Sequence, residues 1–299
     1  MPRRYLMILI PMFLVSTAAP ALAWGVKGHD WIVQNAVEVL PDSAIKTKLQ
    51  ERVIHLRFDA LEPDFEWKDG SNAKLEYANH YFDLEYFGDP ATPADIPRTR
   101  LDALRFYTEE GLAGKYVGFL PYRIEELYYE LVNALSTSPG DAWFLAGVIA
   151  HYTADAAQPL HSTIHFDGRA DEKVDGRKAL SGIHMDYEVS FLEDQGLEFL
   201  QSSRALAEEA EVLEDVHAAA LDTIFEAHGH FEEIYEAARA ENGDDMPAGM
   251  PAVQSTARKY AAWDESIGPM TRLQMARAAT FTASLWLTAW EEAGKPEFE

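Results

Sequence analysis

Apolar side chains recur three and four positions apart along most of this chain, a period that commits it to helices burying one face. Ile32, Ala36 and Val39 with Leu40 form one stripe; Leu101, Leu104, Tyr107 and Leu112 a second; Ile124, Leu127, Tyr128, Leu131 and Leu135 a third. Nothing resembles alternating strands joined by Asn-Gly or Asp-Gly turns. The expected class is all-α.

Turn residues gather at Pro41-Asp42-Ser43, Gly88-Asp89-Pro90, Ser138-Pro139-Gly140-Asp141 and Asp167-Gly168, and from Asn242 to Pro251. The acidic, proline-free stretch from Glu193 to Glu241 reads as one broken helix or two. With no internal repeat and no low-complexity tract, a single multi-helix domain is the economical expectation.

Arg3 and Arg4 precede an apolar run from Leu6 to Val15, and Ala21-Leu22-Ala23 has the small-x-small form of a cleavage site. Residues 1–23 therefore read as a secretory signal, which leaves 24–299 as the helical domain in a secreted or periplasmic protein. No later run is long and apolar enough to span a bilayer, and no obligate protein partner is evident. An exported chain without cysteine has no disulfides, so metal ions are one candidate for its cross-links. The formal net charge of -25 repels polyanions and argues against a general nucleic-acid face or an anionic membrane dock.

The stretch "HYTADAAQPLH" brings chemistry into view. A helix from Asp141 to Ala157, capped by Asp141 and apolar at Phe144, Val148 and Tyr152, places His151 and Asp155 one turn apart on one face. Pro159 stops that helix, so His161 can turn back towards the same cavity. His-x3-Asp alone is usually an ion pair. A second copy, His184 and Glu188 in "GIHMDYE", raises the weight of metal ligation, and His29, Asp64 and His80 add upstream candidates. His55, His217, His228 and His230 lie in polar or acidic segments and read as surface residues, while His165 suits a pocket rim or an ordinary loop equally.

The order Trp24-x4-His29, Asp64, His80-Tyr81, His151-x3-Asp155-x5-His161 and His184-x3-Glu188 resembles the superfamily of zinc-dependent phospholipases C and P1/S1-type nucleases. The resemblance runs from Trp24 to about Glu188. It implies a secreted phosphodiester hydrolase with three zinc ions. Asp64, His80, His151 and Asp155 would hold one; Trp24 (by its free amine and carbonyl), His29 and the second oxygen of Asp155 another; His161, His184 and Glu188 the third. Asp155 would bridge two ions that share an attacking hydroxide, and Asp64 would orient or deprotonate it.

On substrate the motifs divide. Glu188 matches the phospholipase branch, and Phe65 and Tyr77 resemble its aromatic headgroup positions, where a ring face suits a quaternary ammonium. The short gap from Trp24 to His29 and the long one from His161 to His184 are nuclease-like, and Phe82 with Asp83 would stack and read a base. The balance favours a phospholipid phosphodiester. The alternatives are a nuclease acting on single-stranded nucleic acid, and a secreted zinc-binding protein without turnover.

Overall fold

The computed structural model describes residues 24–88, 90–113, 115, 117–243 and 257–298. The proposed signal and the Pro247–Pro251 break lie outside them. Thirteen α-helices run among the described residues: α1 (Gly25–Val39), α2 (Ala44–Asp59), α3 (Ala73–Tyr77), α4 (Arg100–Glu109), α5 (Leu120–Thr137), α6 (Pro139–Ala156), α7 (Ile183–Met185), α8 (Leu192–Asp194), α9 (Leu197–Leu206), α10 (Val216–His228), α11 (Phe231–Asn242), α12 (Ala257–Ser266) and α13 (Gly268–Glu292). The class is all-α, as the periodicity requires.

The centre of the fold is α6, which packs against α1, α2, α5 and α13. Its apolar side chains face neighbours on several sides, and Val148, Ile149, Ala150 and Tyr152 are all buried. It starts two residues earlier than expected, at Pro139, whose missing N–H costs nothing in a first turn. Asp141 lies inside that turn, where its carboxylate accepts the Ser138 hydroxyl at 2.6 Å. At Gly147 a β-carbon would stand 2.4 Å from Asp59 Cβ. Glycine there lets α2 press directly onto α6.

The α5 stripe is buried as read, from Ile124 to Leu135. The α4 stripe is buried only in its second half: Tyr107 and Leu112 lie in the core as read, whereas Leu101 and Leu104 are exposed and Ala103 takes the inward face. The Tyr107 hydroxyl donates to the Gly118 carbonyl at 3.0 Å. Phe144 is likewise partly exposed, its ring tilted against Trp67 at 6.4 Å.

Two further expectations need correction. A two-stranded antiparallel hairpin, β1 (Arg169–Val174) and β2 (Arg177–Ala179), interrupts the helices. It turns at Asp175-Gly176, both with positive φ, which is the Asp-Gly hairpin signal that the surrounding charges obscured. The Glu193–Glu241 stretch forms α8 to α11, with an extended strap between α9 and α10. That strap is held by a row of hydroxyls on α13: the amides of Glu208, Glu211 and Leu213 donate to Thr280, Ser284 and Thr288 at 2.9–3.1 Å.

Candidate metal centre

Helices α1, α6 and α7, two π-helical turns, the loop after α3 and the 3-10 turn after α6 deliver the candidate ligands. His151 and Asp155 project from one buried face of α6. After α6, Pro159–Ser162 forms a single 3-10 turn, and His161 returns into the interior with its Nδ1 on the His80 carbonyl at 2.7 Å. The Phe82 amide donates to the His161 carbonyl at 2.8 Å, which fixes the two loops together. Asp64 stands in the π-helical turn Pro63–Trp67, and Glu188 in a second one, Asp186–Phe191. The wider π turn re-aims side chains relative to a regular helix, and such turns recur at functional sites. From α1, His29 stacks on His151 with ring centroids 4.1 Å apart.

These side chains converge in two nests. Ligand atoms of His29, Asp64 and His151 lie within 4.8 Å of one another, as do those of His80, His151 and Asp155. Because His151 belongs to both triads, they form one five-residue nest. His161, His184 and Glu188 form the other. The Asp155 oxygens face opposite sides, Oδ1 towards His29 Nε2 at 3.6 Å and Oδ2 towards His80 Nδ1 at 3.0 Å and His151 Nε2 at 3.4 Å. In the second nest His184 Nε2 is 2.7 Å from Glu188 Oε2 and 3.1 Å from His161 Nε2. The nests adjoin, with His161 Nδ1 4.0 Å from Asp155 Oδ2.

The donor set fits cations. His151 Nδ1 and His161 Nδ1 each face a main-chain carbonyl, which only accepts, so each carries a hydrogen there and its Nε2 lone pair points inwards. Both ring nitrogens of His29, Asp155 Oδ1, His184 Nδ1 and Glu188 Oε1 are buried without a hydrogen-bond partner. Buried polar atoms left so are costly. Nitrogen and carboxylate donors without thiolates suit zinc in sites of open coordination.

The protein's charge field is uneven across the nests. Burial, with His151 close by, pushes His29 down to about 3, which keeps it neutral. Burial opposes ionisation of Asp155 and Asp64, yet His151 and its neighbours outweigh it and hold both carboxyls below the usual range, Asp155 far below. His151 and His184 shift up despite burial, drawn by Asp155 and Glu188 respectively.

The remaining sequence candidates are placed as follows. Trp24 is fully buried, its indole N–H on the Ala154 carbonyl at 2.7 Å, beside Asp155. Gly25 comes so close to the second π turn that a β-carbon would lie 3.0 Å from the Glu188 carbonyl. Phe65 is 53 % exposed next to Asp64, and the face of Tyr77 carries Lys68 Nζ at 5.2 Å. Phe82 does not present a ring face for stacking: it is buried against Phe87 and Tyr122. Asp83 is buried too, and burial and Glu85 hold its carboxyl well above the usual range. His217, expected at the surface, is buried beside Tyr122 on the inner side of α10.

Sequence reasoning missed two charged neighbours. Lys68 is buried and ion-paired to Asp64 one turn away, and Glu76 stands one turn before His80 with Oε1 3.2 Å from its Nε2. In both, an i,i+4 partner of a proposed ligand was the available signal.

No protein-family model matches the chain. A probable serine protease of Bradyrhizobium tropiciagri is 25% identical over 362 aligned residues, covering 89% of this chain and 43% of its own length. Among solved structures, the alpha toxin of Clostridium absonum superposes with a TM-score of 0.50 at 12% identity, over 91% of this chain and 65% of the toxin. This chain thus spans under half of that relative and about two thirds of that toxin. The likeness to the toxin concerns architecture alone: the two chains share an all-α fold.

Proposed function

We propose that this chain is a zinc-dependent hydrolase of phosphodiesters, of the phospholipase C type, exported and processed to begin at Trp24. One observation carries the reading: eight buried histidines and carboxylates from separate segments converge in two adjoining nests, with five of their atoms left without hydrogen-bond partners. His29, Asp64, His80, His151 and Asp155 would hold two ions with Trp24, and His161, His184 and Glu188 a third. When bound, zinc supplies Lewis-acid charge stabilisation at phosphorus and water of lowered pKa.

The side chains divide the remaining work. Asp155, with Oδ1 towards His29 and Oδ2 towards His80, would serve ions on both sides. Asp64 is fixed by Lys68 and stands 3.7 Å from both His80 and His151, so an ionised carboxylate is available to orient a water and take its proton. Carbonyl partners lock His151 and His161 in the ligand tautomer. Phe65, exposed beside Asp64, offers a ring to the apolar part of a substrate.

A phospholipid is favoured over a nucleic acid by the burial of Phe82 and Asp83, which removes the expected stacking surface, and by the net charge of -25. Tyr77 already has an ammonium on its face, so a choline box there is not part of the proposal. The relative's protease name finds no support in the Ser162–His228 pair, 3.4 Å apart: the Ser162 hydroxyl is buried and donates to the Pro159 carbonyl at 2.6 Å. The test is hydrolysis by the chain starting at Trp24, with and without chelator, of phosphatidylcholine and phosphatidylethanolamine vesicles, single-stranded DNA and RNA. Chelator-sensitive release of phosphorylated headgroup is expected. Nucleotide release alone would make it a nuclease, and zinc uptake without hydrolysis of any substrate a binding protein.

A further inference from the structure

We infer that Glu76 is a positioning residue that sets His80 as a metal ligand through its outer nitrogen; the inference rests on the metal-binding reading above. His80 lies between two carboxylates, with Nδ1 3.0 Å from Asp155 Oδ2 and Nε2 3.2 Å from Glu76 Oε1. A neutral imidazole has one hydrogen for the two. Glu76 is built to take it. Its Oε1 also accepts the Tyr152 hydroxyl, its Oε2 accepts Asn79 Nδ2 at 3.1 Å, and Asn79 is in turn held by Arg100 at 3.1 Å. The carboxylate therefore cannot swing away from His80, and its neighbours offer hydrogens to it.

With the hydrogen on Nε2, the inner face of the nest becomes a set of acceptors. His80 Nδ1 is 2.9 Å from His151 Nε2, whose own hydrogen is committed on Nδ1 to the Ala60 carbonyl at 2.8 Å. Two nitrogen lone pairs and the Asp155 oxygen then face one another, an arrangement that a shared proton or a metal cation relieves. Glu76 thus prepares the nest before any ion arrives, and its charge raises the donor strength of His80, as outer carboxylates do for metal-bound histidines. Tyr152 adjoins His151 on α6, so the same helix that carries two ligands also steadies the group that orients a third.

The experiment uses protein labelled with 15N-histidine. In the chelated wild type, His80 should show the Nε2–H tautomer. Zinc titration followed at the His80 and His161 resonances reads the two nests separately, with competition against a fluorescent chelator for affinity. Glu76→Ala should scramble the His80 tautomer and weaken zinc at the first nest by roughly 10–100-fold while leaving the second unchanged. Glu76→Gln keeps an acceptor for Nε2–H but loses the charge, so it should retain the tautomer and lose less affinity. A merely structural Glu76 would lower the melting temperature without changing tautomer or nest selectivity, and that outcome overturns the inference. If Glu76→Ala fails to fold, Glu76→Gln together with Tyr152→Phe decides: affinity equal to wild type in both overturns it. A wild type that takes up no zinc defeats the metal-binding reading instead.

Discussion

The two nests hold the same donor types on different scaffolds. The first rests mainly on α1 and α6, long regular helices in the core, and reuses His151 in both of its triads. The second is assembled after Pro159 from a 3-10 turn, the short α7 and a π turn. There, rigidity comes from local hydrogen bonds: Asp167 Oδ1 accepts the Gly182 amide at 2.7 Å, and Gln158 Nε2 reaches Glu188 at 3.3 Å. One nest is fixed by burial of its helices, the other by its loops. The first should therefore fail as a unit, and the second should lose its ion alone.

The largest expected effect follows from the position of Asp155. If the proposed ions are bound, Asp155→Asn should empty the first nest of both and abolish chelator-sensitive hydrolysis, whereas Glu188→Gln should release one ion and leave the first nest loaded. Metal counts on the purified variants check this. Loss of a single ion from Asp155→Asn would break the contrast.

Acid sharpens it next. His29, held at about 3, binds its proton more readily once unfolded, so its contribution to the chelated protein's stability falls as pH drops below about 6.5. By pH 5 that loss is up to about 2 kcal/mol. His184 is shifted up, so its contribution is full below about 6.5 and is lost as pH rises through the folded value. Urea unfolding of chelated protein should show a smaller acid loss in His29→Asn and a larger one in His184→Asn. Equal shifts in both would erase the difference between these two histidines.

The smallest effect lies at their seam. Gly25 has φ of 56° and abuts the Glu188 carbonyl, so Gly25→Ala should cost about 1–2 kcal/mol and loosen the second nest although it sits on the helix carrying His29. Weaker zinc at His29 alone would contradict that coupling.

How far these features were legible in the sequence follows from their period. The α5 stripe repeats over several turns, and the His151–Asp155 pair stands one turn apart within a regular helix, so both were readable. On α4 the stripe led to the core only at Tyr107 and, beyond the helix, Leu112; Leu101 and Leu104 stay exposed while the Tyr107 hydroxyl is held by the Gly118 carbonyl. The π turns at Asp64 and Glu188 last five and six residues, too few to impose a period. The ligand types were visible there because histidine and carboxylate spacings stand out; their aim was not. Glu76 and Lys68 were hidden by ordinariness, being charged residues whose burial depends on helices distant in sequence.

The strap between α9 and α10 has a consequence for how this acidic molecule tolerates its own charge. Its amides carry the hydrogen bonds and Ala210 and Leu213 are the residues that turn inwards, so Glu208, Glu209, Glu211 and Glu214 stand exposed to solvent. At those four positions the anchorage uses main chain only and is indifferent to the side chain carried there. Along this stretch the protein can gain or shed carboxylates, and adjust its electrostatic reach towards a surface or an ion, with its architecture undisturbed.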